Sequence, residues 1–360
     1  MKIVFRVDGS AQIGLGHVMR CLTLASQFMP SNTITFVSRP LPTTLQKHIE
    51  SVGIELITLP PSDCYEHATS ASPVLDNSAQ FNHALQCIET LGLADNTLID
   101  ILFIDHYQLS APFSEMMRRY CKNIVVIDDL ANRRHNCDVL LDQNLYVDFE
   151  SRYDQLVPEH CRKLLGPKFA ILREEFYENK FPHRRKNHIL ICFGGSDPSN
   201  LTERVADVLL ALKSPHISAD IVVGAAYSNV ERLKEKVDAL ENVKLHVACS
   251  YMATLMKTAT VMIGAGGSMH WERAICGIAG IVITLADNQI ETTRCLHEKH
   301  CCVWLGKDGE VSNEELREAI EFAIVSPQKM RKIADNAAAL LSGTENPSFV
   351  MDTILNIVKR

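Results

Sequence analysis

Short apolar runs in the first half of the chain alternate with longer stretches whose apolar residues recur every three or four positions. Helical periodicity is clear in residues 17–29 and 111–123. Regular alternation of strand and helix is typical of a parallel sheet that is covered on both faces. The apolar runs that predict buried strands are 2–8, 33–38, 101–106, 124–129 and 139–144.

The alternation lapses over residues 176–188, which are polar and include a proline, and we interpret this segment as a linker. It then restarts, so the pattern predicts an N-terminal Rossmann-like domain over 1–178 and a C-terminal one over 187–343. Residues 344–360 predict a final amphipathic helix that could pack on either half. The runs that predict strands in the second half are 188–195, 219–226, 243–249, 260–267 and 279–286.

Length, composition and charge limit the classes of protein to be considered. A chain of 360 residues with 46% hydrophobic content is large enough for two cores. With 36 basic and 43 acidic residues the net charge is −7, and no basic stretch exceeds 183–186, which argues against a nucleic-acid partner. No apolar run approaches the ~20 residues of a membrane span, so no membrane association is expected.

The cysteines and the first residues bear on location. None of the twelve cysteines forms a CxxC pair, and most lie inside apolar runs. We interpret them as reduced thiols, with a disulfide framework as the weaker alternative. Because the chain begins directly with a strand, no signal peptide is expected and the predicted location is cytoplasmic.

Two glycine turns in the second half follow strands and precede helices. Glycines allow backbone N–H groups to approach a ligand closely, and a helix N-terminus favours negative charge. Two such turns in one domain predict a diphosphate site, although tight turns without a ligand are the alternative. Asp197 and Pro198 are interpreted as the cap and first residue of the helix after the first turn. The turn residues are Gly194, Gly195 and Ser196, and Gly266, Gly267 and Ser268.

Polar side chains near the second turn are candidates for binding hydroxyl groups of a ligand that carries the diphosphate. Glu272 falls near the start of the following helix, where its carboxylate could accept hydrogen bonds from two ribose hydroxyls. Its alternative role is a charge that is favourable to the helix dipole. Asn288 and Gln289 follow the strand at 279–286 and could bind sugar hydroxyls.

Gly14 and Gly16, in the first glycine turn, are candidate substrate-binding residues, but this turn differs from cofactor motifs. Met19 occupies the third glycine position of a dinucleotide fingerprint, and the next strand ends without an acidic residue. Both differences argue against a nicotinamide cofactor, and the lack of Lys-Ser/Thr argues against a P-loop.

His17 follows this turn at the start of the first helix. The helix N-terminus favours the neutral imidazole, which can accept a proton as a general base. The alternatives are a helix cap or a core histidine. Tyr107 follows the strand at 101–106, where it either lines a sugar site or closes a loop. No histidine, cysteine and aspartate cluster has metal-ligand spacing, and His183 and His188 are expected to be solvated, so neither a metal nor a cofactor is predicted.

Five segments together resemble a known family of enzymes. The chain resembles the UDP-2,4-diacetamido-2,4,6-trideoxy-β-L-altropyranose hydrolases of pseudaminic acid biosynthesis, over about residues 1–295. The segments are FRVDGSAQIGLGHVMRC, FIDHY, CFGGSDPSN, MIGAGGSMHWERAICG and LADNQ. Met269 and His270 stand where small hydroxyl residues are expected, and Asp287 stands where glutamate is expected.

The resemblance implies a fold and a set of roles. It implies two parallel-sheet domains facing across a cleft, as in GT-B glycosyltransferases, with the last helix returning to the first domain. His17 would activate water, Glu272 would hold the ribose, and the glycine turns would hold the diphosphate. Tyr107, Asn288 and Gln289 would lie near the sugar or pyrophosphate, and no metal would be needed.

Two other functions remain open on the sequence alone. A glycosyltransferase of the same fold would activate an acceptor hydroxyl instead of water. A binding protein would sense the nucleotide sugar without turnover, although a histidine at the end of a strand argues against that function. The oligomeric state is not predicted.

Overall fold

Two units account for the chain in the computed structural model, which describes residues 1–10, 14–29, 31–60, 72–94, 98–178, 184–344 and 346–359. Unit 1 comprises Met1–Asn144, Asp148–Leu172 and Asn346–Arg360. Unit 2 comprises Leu145–Val147 and Arg173–Glu345. Apart from the short stretch Leu145–Val147, the chain enters unit 2 at Arg173, a few residues before the boundary that the sequence predicts.

Unit 1 is built on a parallel sheet. Its strands lie in the order β3-β2-β1-β4-β5-β6-β7, and every pair is parallel. The strands in the described part of this unit are β1 (Lys2–Val7), β2 (Thr33–Ser38), β3 (Glu55–Thr58), β4 (Ile99–Asp105), β5 (Cys121–Ile127), β6 (Val139–Asp142) and β7 (Arg162–Leu165).

Helices cover both faces of this sheet because its strands carry apolar side chains on both sides. Phe5 stacks on Phe103 with ring centroids 4.4 Å apart under one face, while Val4 and Leu102 belong to the core under the other. The first four described helices of unit 1 are α1 (Gly16–Phe28), α2 (Thr43–Ser51), α3 (Asn77–Thr90) and α4 (Ala111–Met117).

Unit 2 repeats this architecture with a second parallel sheet and its own two cores. Its strand order is β10-β9-β8-β11-β12-β13. Its described strands are β8 (His188–Cys192), β9 (Ser218–Val223), β10 (Val243–Val247), β11 (Val261–Gly264), β12 (Ala279–Thr284) and β13 (Val303–Lys307). Its described helices are α5 (Leu201–Leu212), α6 (Val230–Asp238), α7 (Met252–Thr258), α8 (Met269–Ile275), α9 (Ile290–Glu298), α10 (Asn313–Val325) and α11 (Pro327–Ala339).

The last helix, α12 (Phe349–Val358), belongs to unit 1. Val350 and Ile354 are buried in the same core as α1, and Phe349 stacks on Phe169 with centroids 5.8 Å apart. The amphipathic pattern at the end of the chain thus supplies one more covering helix for the first sheet.

Several local expectations need correction. The helix expected over 111–123 ends at Met117, and Cys121 already belongs to β5 because it pairs with Ile99 of β4. His188 is wholly buried as the first residue of β8, where its Nε2 atom lies 2.7 Å from Asp220 Oδ2, so the expectation that it is solvated is wrong. His183 lies outside the described residues.

The strand order reverses at one point in each sheet. In unit 1, β2 lies on one side of β1 and β4 lies on its other side, so the order reverses between β1 and β4. In unit 2, β9 and β11 lie on opposite sides of β8, so the order reverses between β8 and β11. In open parallel sheets, ligands bind beyond the carboxyl ends of strands at such reversals. The His17 turn and Asp105 lie at the reversal in unit 1, and both glycine turns of the second half lie at the reversal in unit 2.

Candidate active site

The loop between β1 and α1 places His17 at the carboxyl edge of the first sheet. Gly14 has a φ of +82° and donates its N–H to the carbonyl of Ser10 (2.9 Å), so a left-handed residue closes this turn. Helix α1 starts at Gly16, and His17 is its second residue with 7% of its surface exposed. A side chain on Gly16 would meet open space, so Gly16 leaves room next to the histidine.

Asp105 fixes the orientation of the imidazole. It is the last residue of β4 and pairs with Val7 of β1, which brings the two strand ends side by side. Its Oδ1 atom lies 2.6 Å from Nδ1 of His17. Nη2 of Arg20 also lies 3.0 Å from Nδ1, but it donates to Asp105 Oδ1 over the shorter distance of 2.6 Å. Because an ionised carboxylate only accepts hydrogen bonds, the shorter contact of Nδ1 with Asp105 assigns the imidazole proton to Nδ1 and the lone pair to Nε2.

Arg20, one turn after His17 on α1, holds the same carboxylate. Its Nε and Nη2 atoms donate to the two oxygens of Asp105, both at 2.6 Å, and its Nη1 atom lies 3.2 Å from Asp129 Oδ2. Burial alone would raise the pKa of Asp105, but the Arg20 charge, together with His17, holds this pKa well below its ordinary value. Asp105 is therefore an anion that two partners keep in place.

Tyr107 completes this group. Its ring meets the His17 ring edge to face, with centroids 4.4 Å apart. Burial, together with the nearby Asp129 carboxylate, raises the pKa of Tyr107 above its ordinary value, so the phenol stays protonated near neutral pH and can donate a hydrogen bond. The structure thus brings together two residues that the sequence proposed separately.

A second polar network at this edge was missed by the sequence reasoning. Both oxygens of the buried Asp8 accept hydrogen bonds from Arg6, at 2.6 and 2.7 Å, and Oδ2 lies 3.0 Å from His106 Nε2. Asp8 Oδ1 also accepts the backbone N–H of Arg39 at 2.7 Å. The available signal was the charged residue inside the apolar strand FRVD, because a buried arginine needs an acidic partner.

In unit 2 the first glycine turn is shaped by close packing of backbone. Gly194 has a φ of +96°, and a methyl group on Gly224 would lie 2.3 Å from the carbonyl oxygen of Gly195. Gly195 and Ser196 are exposed. Their N–H groups therefore lie on an open turn. Close packing requires glycine at position 224, whereas a methyl group on Gly194 or Gly195 would meet no atom within 4 Å.

The helix after this turn begins later than predicted. Helix α5 starts at Leu201, not at Pro198, and Asp197 accepts the N–H groups of Leu201 at 3.0 Å and Thr202 at 2.8 Å. The N-cap residue is Asn200, so the expected cap at Asp197 is wrong, although the Asp197 carboxylate still binds N–H groups four and five residues ahead of it. Because its carboxylate occupies these N–H groups, an anion at this turn would have to bind to Gly194, Gly195 and Ser196 themselves.

The second glycine turn lies against the 3₁₀ turn Asp287–Gln289. Gly266 is buried, and a methyl group on it would lie 3.2 Å from Cβ of Gln289. Gly267 has a φ of +78° and faces the side-chain amide of Gln289, whose Oε1 atom accepts the N–H of Leu285 at 2.9 Å. Gly267 and Ser268 are less buried than Gly266, so they are the part of this turn that a ligand can reach.

Glu272 lies half-buried in the middle of α8. Its Oε1 atom is 3.8 Å from Nη2 of Arg173. The other terminal nitrogen of Arg173, Nη1, lies 2.6 Å from Glu175 Oε1. Burial raises the pKa of Glu272, and the Arg173 charge opposes this shift. Asn288 is also half-buried, one residue before Gln289 on the same 3₁₀ turn.

Three properties of the described residues bear on other functions. No group of three or more histidine, cysteine, aspartate or glutamate side chains among them could hold a metal ion. Within the same ranges, no helix is long and apolar enough to cross a membrane. All eleven described cysteines are free thiols.

Comparison with known proteins supports the resemblance that the motifs predict. The chain is 27% identical to the UDP-2,4-diacetamido-2,4,6-trideoxy-β-L-altropyranose hydrolase of Campylobacter jejuni over 300 residues, which are 83% of this chain and 97% of that protein. It is 23% identical to a spore coat polysaccharide biosynthesis protein of Bacillus subtilis over 88% of this chain and 87% of that protein. It is 30% identical to an uncharacterised protein of Methanocaldococcus jannaschii over 81% of this chain, but only 57% of that protein. No protein-family profile matches the chain.

Solved structures establish the fold. The chain matches MurG of Acinetobacter baumannii with a TM-score of 0.63 and 15% identity, over 100% of both chains. It matches the glycotransferase of kitacinnamycin with a TM-score of 0.65 and 14% identity, over 99% of both chains. The predicted fold class, two parallel-sheet α/β domains of the GT-B type, is thereby confirmed.

Proposed function

We propose that this protein is a hydrolase that cleaves the bond between C1 of a UDP-linked sugar and the diphosphate oxygen. Water supplies the nucleophile, and the products are the free sugar and UDP. The observation that carries the proposal is the 2.6 Å contact between His17 and Asp105, because a carboxylate on Nδ1 fixes the orientation of the ring and makes Nε2 the nitrogen that can accept a proton.

The reaction divides into a nucleophilic half and a leaving-group half. His17 takes a proton from water as the water oxygen forms its bond to C1, the C1–O bond breaks, and the configuration at C1 inverts. The proton on Nε2 then passes to solvent. Tyr107, whose ring packs against His17, is a hydrogen-bond donor suited to a sugar hydroxyl.

The leaving group is held by unit 2 in this proposal. The bond electrons leave with UDP, whose charge is stabilised by backbone N–H groups at Gly194, Gly195 and Ser196 and at Gly266, Gly267 and Ser268. Because a stabilised diphosphate is a good leaving group, one base is sufficient. Glycosidases need two carboxyl groups because their leaving groups are poorer. Glu272 accepts hydrogen bonds from the ribose, and Asn288 and Gln289 contact the pyrophosphate or sugar.

We take the identity of the sugar from the relative in Campylobacter jejuni, because the aligned region covers 97% of that protein. The proposed substrate is therefore UDP-2,4-diacetamido-2,4,6-trideoxy-β-L-altropyranose, and the proposed pathway is pseudaminic acid biosynthesis. The proposed location is cytoplasmic, since free thiols persist in reducing compartments.

Product analysis tests the proposal. Purified protein is mixed with the UDP-sugar and no acceptor, and early time points are followed by proton and phosphorus NMR. We expect free sugar and UDP in equal amounts, with the inverted anomer appearing first. Retained configuration would contradict attack by a single water molecule.

A glycosyltransferase is the second candidate, because the solved structures that match the fold include glycosyltransferases. The same experiment separates the two functions. A transferase would release little sugar until an acceptor hydroxyl is supplied, and tight binding without products would indicate a sensor.

A further inference from the structure

Unit 2 contains a buried arginine, Arg273, that is not paired with a carboxylate. Only 2% of its surface is exposed, and no ion pair of the described residues includes it. Its guanidinium donates to Nδ1 of His270, and its Nε atom has no hydrogen-bond partner in the described structure. A buried charge without a counter-charge is costly, so an anion nearby would stabilise it.

The hydrogen bonds that start at Arg273 run in one direction. A guanidinium only donates, so Nδ1 of His270 must accept and the ring proton must lie on Nε2. Nε2 then donates to Oγ1 of Thr293 at 3.0 Å. Burial and the adjacent Arg273 charge hold the pKa of His270 well below its ordinary value, so this ring stays neutral. Thr293 Oγ1 accepts this hydrogen bond, which leaves its own hydrogen available to another acceptor.

This chain of donors lies directly under the second glycine turn. A methyl group on Gly266 would lie 3.1 Å from Thr293 Oγ1 and 3.2 Å from His270 Nε2. The next residue, Gly267, faces the side-chain amide of Gln289. Hydrogen bonds in a low-dielectric interior polarise one another, so the charge of Arg273 acts towards the turn through His270 and Thr293.

We propose that Arg273, His270 and Thr293 form a relay that stabilises the diphosphate group of a nucleotide bound at Gly266 and Gly267. These three are positioning residues, since they act through the turn without touching the ligand. The relay explains why histidine stands at position 270, where the family resemblance expects a small hydroxyl residue. The inference rests on the proposed function, because it requires a nucleoside diphosphate at this turn.

Affinity for charged and uncharged ligands tests the relay. We compare the wild type with Arg273→Met and Thr293→Val, using calorimetry for UDP and NMR titration for uridine. Arg331→Met is the matched control, because it removes the same charge from an exposed site of unit 2. Thr293→Ser keeps the hydroxyl, and thermal melting checks that each variant folds.

The relay predicts that both test variants bind UDP about five- to tenfold more weakly while their affinity for uridine changes less than twofold. Thr293→Ser and Arg331→Met should match the wild type. Equal losses for UDP and uridine would reveal a purely structural role and overturn the relay, and unchanged UDP affinity in both variants would do the same. If the wild type itself fails to bind UDP, the proposed function is wrong, whereas the other two outcomes leave that function intact.

Discussion

Asp105 Oδ1 accepts from two neighbours on the same helix, because His17 Nδ1 and Arg20 Nη2 both lie 2.6 Å from it. The carboxylate has two oxygens, and Arg20 also donates to the second one at 2.6 Å. Asp105 can therefore fix the tautomer of His17 only while it remains an anion with two acceptor oxygens.

Replacing Asp105 by asparagine should impair catalysis without removing the nucleotide site. Asparagine has one acceptor oxygen for the three nitrogen donors, so its NH₂ group must face either His17 or Arg20. We expect Asp105→Asn to lower kcat about 10²–10⁴-fold, since it disturbs the orientation and tautomer of the base. Steady-state release of UDP measures this loss.

The matched control for this change is Asp100→Asn on the same strand. Asp100 accepts from the backbone N–H of Lys2 at 2.7 Å and from Lys122, near the opposite end of β4 from Asp105. The Asp100→Asn variant should have a kcat within about twofold of the wild-type value. Equal activity of the two variants would remove Asp105 from the mechanism.

Removal of the imidazole itself should affect turnover far more than nucleotide affinity. His17→Ala should lower kcat about 10²–10⁴-fold, because general-base catalysis contributes about that much. Its affinity for UDP, measured by calorimetry, should stay near the wild-type value. His48→Ala, an exposed histidine on α2, is the control, and normal turnover of His17→Ala would refute the assignment of the base.

The ribose assignment of Glu272 can be tested with the sugar of the nucleotide. If its carboxylate binds the ribose hydroxyls, the wild type should bind UDP about tenfold or more tightly than 2′-deoxy-UDP, because hydrogen bonds to charged groups are strong. Glu272→Ala should bind both ligands with similar affinity. Glu318→Ala, at an exposed position of α10, should keep the wild-type preference. A preference that survives in Glu272→Ala would show that another residue binds the ribose.

Asp142 gives a prediction for the pH dependence of stability. The hydroxyl of Tyr153 lies 2.9 Å from Asp128 Oδ2 and 3.0 Å from Asp142 Oδ2. One phenol hydrogen cannot serve both carboxylates, so one carboxyl must carry a proton. Burial raises the pKa of Asp142 to about 8, with the Asp129 and Asp128 charges adding to the effect, so the proton lies on Asp142 near neutral pH.

The folded state keeps this proton while the unfolded state, with a pKa near 3.9, loses it. Between about pH 5 and 7.5 the folded chain therefore binds one more proton than the unfolded chain, and the free energy of unfolding falls by about 1.4 kcal/mol per pH unit from this group. Asp142→Asn should remove this slope, as measured by urea denaturation. Exposed Asp148→Asn is the control, and an unchanged slope in Asp142→Asn would contradict the protonated state.

The sequence by itself determined the two-domain α/β fold, because hydrophobic periodicity reports directly on which faces of strands and helices are buried. Strands β3, β7 and β13 were not among the predicted runs. Every residue of β3 and β13 is partly buried or exposed, so neither strand has the fully buried side chains that give a strong apolar signal. Helix α4 was extended into β5 because helical spacing cannot reveal pairing with a distant strand.

The sequence could place the candidate site residues at the ends of strands, because each of them follows a predicted strand. Which of them touch was decided by tertiary structure. His17 and Asp105 are 88 residues apart in the chain and meet because β1 and β4 are neighbours at the reversal of strand order. Arg273 showed no signal in the sequence, since its function depends on burial and on having no nearby carboxylate among the described residues, which are properties of packing in three dimensions.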